Sequence, residues 1–229
     1  YGEQRALDKV SFSIAPGEIV GFLGPNGAGK STMMKILTGY ISQTGGKAAI
    51  CGLDVSRETL QVKSRVGYLP ENNPLYLEMY VKEYLHFIAG LHKLKNRGKR
   101  VSEIIERVGL GLEQHKRIEA LSKGYRQRVG LAQAMIHNPD VYILDEPTTG
   151  LDPNQIVEIR DVIKSLGSDK TVMLSTHIMQ EVEAICDRVL IINRGNLVAD
   201  AKASEMDKYK NEEIKIVAEF SEKPDLNAF

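Results

Sequence analysis

Residues 24–32 constrain this chain more than any other stretch. They read GPNGAGKST and fit the pattern G-x-x-x-x-G-K-[ST]. The apolar run at 19–23 predicts a strand before them, and the residues after them predict a helix. Glycines in such a loop let the backbone turn its N–H groups toward one point. The following helix adds the positive end of its dipole, and together they make a cradle for a polyphosphate. The cradle is expected from Gly24, Pro25, Asn26, Gly27, Ala28, Gly29, Lys30, Ser31 and Thr32. Lys30 is expected on the β- and γ-phosphates, and Ser31 is expected to give an oxygen to Mg²⁺.

A second acidic element belongs with the first. In VYILDEP, Asp145 and Glu146 directly follow four residues that read as a buried parallel strand. Doubly wound sheets bind ligands at the carboxyl ends of their strands. Asp145 is therefore expected in the Mg²⁺ shell, and Glu146 is placed to polarise an attacking water.

The rest of the chain alternates short apolar runs with helical patterns, the layout of an α/β domain with a parallel sheet. Strands are predicted at 10–14, 19–23, 141–144 and 171–175. Between 74 and 138 the pattern is helical: Val81, Tyr84, Leu85, Ile88 and Leu91 share one spacing, and Ile104, Ile105 and Val108 another. Asp152 with Pro153 predicts a helix start, and Gly167 its end. Residues 188–192 and 197–199 flank Gly195 and predict a hairpin. The basic run at 93–100 reads as a solvated loop and helix start.

Composition sets the outer bounds. Thirty basic and thirty acidic side chains leave no global charge to hold a polyanion, so nucleic acid is not an expected partner. Cys51 and Cys186 match no metal or CxxC spacing and read as free, mostly buried thiols, in keeping with a reducing compartment. No apolar run approaches the ~18 residues of a membrane span, so a membrane role is expected only through a partner. The chain opens on Tyr1 rather than Met and stops soon after an apparent new strand in KIVAEF, so a piece of a longer protein is expected.

A cradle and an acidic strand end are shared by many nucleotide hydrolases. The segment LSKGYRQRVGLAQ, at 121–133, narrows the class, because it resembles the LSGGQ signature of ABC ATPases. TGLDP at 149–153 resembles that family's D-loop, and LSTH at 174–177 its switch histidine. Tyr1-Gly2 resembles the aromatic position on which adenine stacks, and YLPE at 68–71 stands at the place of the Q-loop. The motifs run in the family's order from Tyr1 to about Ala199. A GTPase or small-molecule kinase would leave LSKGY and LSTH unexplained.

The resemblance implies a P-loop NTPase fold of ABC type: a mostly parallel sheet with an antiparallel β edge, and a helical subdomain. It divides the chain into a nucleotide-binding core (1–73 and 139–200), a helical subdomain with the signature (74–138), and the start of a C-terminal extension (201–229). It also implies that Ser122 and Gly124 grip the γ-phosphate of an ATP held by a second copy, so that two ATPs are sandwiched in a head-to-tail dimer. Tyr1, Glu71 and Asp152 join the nucleotide site, Glu71 also near Mg²⁺, and His177 orients the water with Glu146. The implied function is an ATP-hydrolysing transporter motor on the cytoplasmic face of a membrane, held there by a permease. An ABC ATPase acting on ribosomes or DNA is the alternative.

Three departures stand out. Glu71 replaces glutamine at the Q-loop, and a carboxylate cannot donate the hydrogen bond an amide can. Lys123 and Tyr125 replace the second glycine and the glutamine of the signature, while Ser122 and Gly124 are kept. YLPE followed by NNPLY resembles the subunits that serve ABC-2 exporters, including bacterial gliding-motility ATP-binding subunits.

Overall fold

The computed structural model describes residues 5–206. Five short parallel strands form the sheet: β1 (Ile19–Leu23), β4 (Val66–Leu69), β5 (Val141–Asp145), β6 (Thr171–Thr176) and β7 (Arg188–Asn193). β8 (Asn196–Lys202) pairs antiparallel with β7 and closes one edge, giving the order β4-β5-β6-β1-β7-β8. A separate antiparallel pair, β2 (Ala49–Ile50) with β3 (Leu53–Asp54), precedes α2 (Thr59–Arg65).

The central strands are apolar on both faces because both faces are covered. Along β1, Ile19 and Leu23 join one apolar cluster while Val20 and Phe22 join another. β5 and β6 divide in the same way, with Tyr142, Leu144, Val172 and Leu174 on one side and Ile143 and Met173 on the other. Met33 and Met34 of α1 (Lys30–Leu37) and Val62 of α2 cover the second face. On the first face lie α6 (Pro153–Leu166), through Ile159, Ile163 and Leu166, and α7 (Met179–Ile185), through Val182 and Ile185. α7 approaches so closely that a side chain at Gly21 would meet the Val182 Cγ2 at 3.0 Å.

The first cluster continues into α3 (Val81–Leu91), α4 (Arg97–Arg107) and α5 (Lys123–Met135). These helices fill the segment whose apolar spacing predicts helices, and α4 begins within the basic run. Arg128 of α5 is buried there, donating to the Val108 carbonyl at 2.8 Å and pairing with Glu158 of α6.

The strand predicted at 10–14 does not form. Val10, Phe12 and Ile14 do pack against the second cluster, and Phe12 meets Phe22 with ring centroids 6.0 Å apart. No ladder pairs this segment among the described residues, and Arg188 instead donates to the Ser13 carbonyl at 2.9 Å. Tyr1 and the apparent strand in KIVAEF lie outside the described residues. No described helix is long and apolar enough to cross a membrane.

Candidate functional site

β5, β6 and β1 are adjacent, and their registers, Asp145 beside Ser175 and Leu23 beside Thr176, bring their carboxyl ends level. The three loops that leave those ends converge. The loop after β1 is the expected cradle. Gly27 and Gly29 have φ of 78° and 109°, a region glycine takes without steric penalty, and a Cβ at Gly29 would also run into the Ala6 carbonyl. Ala28 N–H donates to the Pro25 carbonyl at 3.2 Å, and Gly24 N–H donates to the Thr176 carbonyl at 3.3 Å, tying the cradle to the end of β6.

Lys30 opens α1 and is only 6% exposed. Its ammonium donates to the Gly24 carbonyl at 2.8 Å and the Pro25 carbonyl at 3.3 Å, and lies 3.3 Å from the Glu146 Oε1. Those three partners match the three donors of a lysine, which is what a buried ammonium requires.

Glu146, 7% exposed, has a φ of 50°, uncommon for a residue with a Cβ. Its N–H donates to the Ser175 Oγ at 3.0 Å and approaches the Ser175 carbonyl at 3.3 Å, which holds it in that conformation. The Oε2 accepts from the Thr149 hydroxyl at 3.0 Å and faces the His177 Nδ1, also at 3.0 Å. The Ser175 hydroxyl meanwhile donates to the Asp145 Oδ1 at 2.6 Å. Thus Lys30, Asp145, Glu146 and His177, four of the expected residues, share one connected network.

Ser175 and Thr149 were not singled out by the sequence. Both fall inside motifs noted for other residues, LSTH for its histidine and TGLDP for its aspartate. A hydroxyl at a strand end beside paired carboxylates is the signal that would have found Ser175.

Ser31, Asp145 and Glu71 line one cleft of about 420 Å³ between the cradle and the helical segment. Tyr68 also lines it, with a buried hydroxyl that meets no hydrogen-bond partner among the described residues. Burial, and then the nearby Asp145, hold that phenol well above its usual range. Among the described residues no cluster of three or more His, Cys, Asp or Glu side chains could hold a metal by itself.

Ser122 and Gly124 do not line that cleft. Ser122 caps α5, its Oγ accepting from the Tyr125 N–H at 3.4 Å. A Cβ on the buried Gly124 would collide with the amide of Gln155, and the Lys123 side chain crosses Gly150. Gln127 of the same helix donates to the Pro147 carbonyl at 3.0 Å. The signature therefore packs on the loop that follows Glu146. Asp152 spends its carboxylate capping α6, accepting from the Gln155 N–H at 3.0 Å.

The cysteines divide. Cys186 is buried, and burial first, then Asp187 and Glu181, push its thiol up to about 12; Cys51 is exposed, against the expectation that both are buried.

Comparison with known proteins adds four findings. The family model described as "ABC transporter" matches residues 7–149. YdbJ, an ABC transporter ATP-binding protein of Bacillus subtilis (strain 168), is 40% identical over 201 residues, covering 87% of this chain and 65% of that protein. The bacitracin transport ATP-binding protein BcrA of Bacillus licheniformis is 38% identical over 205 residues, covering 87% of this chain and 66% of BcrA. The chain thus spans just under two thirds of the length of these relatives. Among solved structures, the dimeric ATP-binding cassette MJ0796, in a post-hydrolysis state bound to ADP and Pi, superposes with a TM-score of 0.81. It is 26% identical, with 89% of this chain and 94% of that one covered.

Proposed function

The chain belongs to the ABC transporter family, and on that premise we propose that it binds and hydrolyses ATP as the motor part of a membrane exporter. The observation that carries the reading is the contact chain Lys30–Glu146–His177, at 3.3 Å and 3.0 Å, at the mouth of the glycine cradle. Lys30 gives up its carbonyl and carboxylate partners for β- and γ-phosphate oxygens, while the N–H groups of residues 24–32 take the remaining phosphate charge. Freed of Lys30, Glu146 accepts a proton from the water that attacks the γ-phosphorus. His177 holds the Glu146 carboxylate in place and contacts the γ-phosphate.

Mg²⁺ fits the donor set. A hydroxyl from Ser31 and carboxylates from Asp145 and Glu71 are hard oxygen ligands around one cleft, and Mg²⁺ usually takes one or two carboxylates with the rest from phosphates and water. When bound, it would neutralise charge on the β- and γ-phosphates. Tyr1 is assigned the adenine-stacking position on the resemblance alone.

Ser122 and Gly124, outside the cleft of their own chain, complete the site of a second copy, with Asp152 at the interface. The dimeric ADP-bound MJ0796 cassette supports this arrangement. We assign permease docking to the start of the helical insert, residues 71–94, where Tyr76, Leu77 and Tyr80 are exposed. Position at the cytoplasmic membrane face follows from a permease partner. The relatives named above are transporter ATP-binding proteins, which favours this reading over action on ribosomes or DNA.

Glu146→Gln tests the reading directly. It keeps the shape and removes the base, so ATP turnover should fall by about 10² to 10⁴ while ATP still binds. Turnover equal to that of the parent would remove Glu146 from the role.

A further inference from the structure

The reaction as drawn makes no use of one buried carboxylate. Glu181, 2% exposed, projects from α7 and accepts from two hydroxyls. One is the Thr148 Oγ1, two residues beyond Glu146; the other is the Thr176 Oγ1, at 2.5 Å, one residue before His177. The Thr176 hydroxyl also accepts from the Ile178 N–H at 3.1 Å, which fixes its proton toward Glu181. Thr148 and Thr176 are themselves buried.

The placement is specific. α7 is seated on the sheet by Val182 against Gly21, so the Glu181 side chain projects from a packed element. The groups it holds are in the loop that follows Glu146 and at the last residue of β6, directly before His177. Without it, the turn after Glu146 keeps the contacts of Ser175 with the Glu146 N–H and of Gln127 with the Pro147 carbonyl, and loses its link to the end of β6 through Thr176. A burial that serves packing alone would favour an apolar residue here, because a carboxylate out of water costs free energy unless every contact is satisfied.

We propose that Glu181 is a positioning residue for hydrolysis: by bridging Thr148 and Thr176 it sets the contact between Glu146 and His177. The inference rests on the ATPase reading above. It acts on the catalytic step and leaves the cradle alone, so it should separate turnover from affinity. A displacement on the order of 1 Å at a reacting group can cost about 100-fold in rate.

The test uses the full-length protein and Thr148, whose Val variant removes the hydroxyl and keeps the shape. Thr148→Val is expected to lower ATP turnover by about tenfold or more, with ATP affinity by calorimetry unchanged. Thr148→Ser, which restores the hydroxyl, is expected to recover most of the turnover. In ¹⁵N-histidine-labelled protein, the Nδ1 resonance of His177, assigned with His177→Gln, should move in Thr148→Val and return in Thr148→Ser. Parental turnover in Thr148→Val overturns the inference, whatever its thermal stability. Thr148→Ser as slow as Thr148→Val overturns it too, by assigning the loss to packing. A parent that hydrolyses no ATP, with a His177 resonance that follows the hydroxyl, defeats the ATPase reading and leaves the bridge standing.

Discussion

Lys30 shows how much one side chain's neighbours decide. A lysine after a glycine loop is expected to meet phosphate, and in this structure its ammonium is satisfied by two carbonyls and Glu146. Those contacts keep a buried charge tolerable and hold it at the mouth of the cradle. Lys30→Ala removes the phosphate ligand and leaves Glu146 buried beside an empty space. ATP affinity measured by calorimetry should fall by at least about tenfold, the equivalent of about 1.4 kcal/mol, and undiminished binding would sink the cradle assignment. That Glu146 directly follows a buried strand was legible from VYILD. Its left-handed backbone was not, because that conformation is imposed by Ser175 on a neighbouring strand.

At the scale of elements, the junction between α3 and α5 carries a titratable pair. His92 follows α3 and His137 follows α5, and their rings stack in parallel with centroids 4.0 Å apart. Burial, then the neighbouring His92, hold the His137 imidazole down at about 4, against the opposing hydrogen bond to the Val66 carbonyl. In the unfolded chain a histidine titrates near 6.5. Between these values the unfolded chain binds more protons than the folded one, so stability falls as pH drops from about 6.5 to about 4 and levels off below. Denaturation midpoints measured across that window should decline in the parent and flatten in His137→Gln. An equal slope in both would place the acid sensitivity elsewhere. The helices themselves were readable: the cap by Asp152, the stop at Gly167 and the apolar faces of α3 and α4 all follow from local spacing. The pairing of His92 with His137 was not, since the two follow helices that α4 separates in the chain.

At the scale of the whole molecule, Ser122 and Gly124 of the signature lie outside the cleft that Ser31 of the cradle lines. Gly124 lies against Gln155 of α6, and Gln127 of the same signature helix holds the Pro147 carbonyl in the loop from which Thr149 reaches Glu146. A second copy that docks there would press on both functions together. The Glu146→Gln protein should therefore sediment as a dimer with ATP and as a monomer without it, checked by analytical ultracentrifugation; a monomer in both conditions would count against the sandwiched pair. Isolated in full length from solubilised membranes in the same trapped form, it should bring a polytopic membrane protein in stoichiometric amount. Ribosomes or DNA-bound proteins in its place would keep the motor and replace the machine.

The sequence by itself determined the chemistry and the class, because those depend on residue types at fixed spacing along the chain: a glycine loop before a helix, carboxylates after a strand, a capped signature helix. It also determined which faces are apolar, and Val10, Phe12 and Ile14 do turn inward as their alternation requires. Whether a strand forms there was decided by the tertiary structure, since a ladder needs a partner with free backbone groups and alternation only says which side is buried. The same holds for the site. Ser175 and Thr149 stand in motifs read for other residues and Glu181 in none, and their contacts with one another's loops arise only when the sheet order sets β5 and β6 side by side and α7 against them. Contacts between positions far apart in sequence are fixed by packing, and packing is what spacing along one segment does not encode.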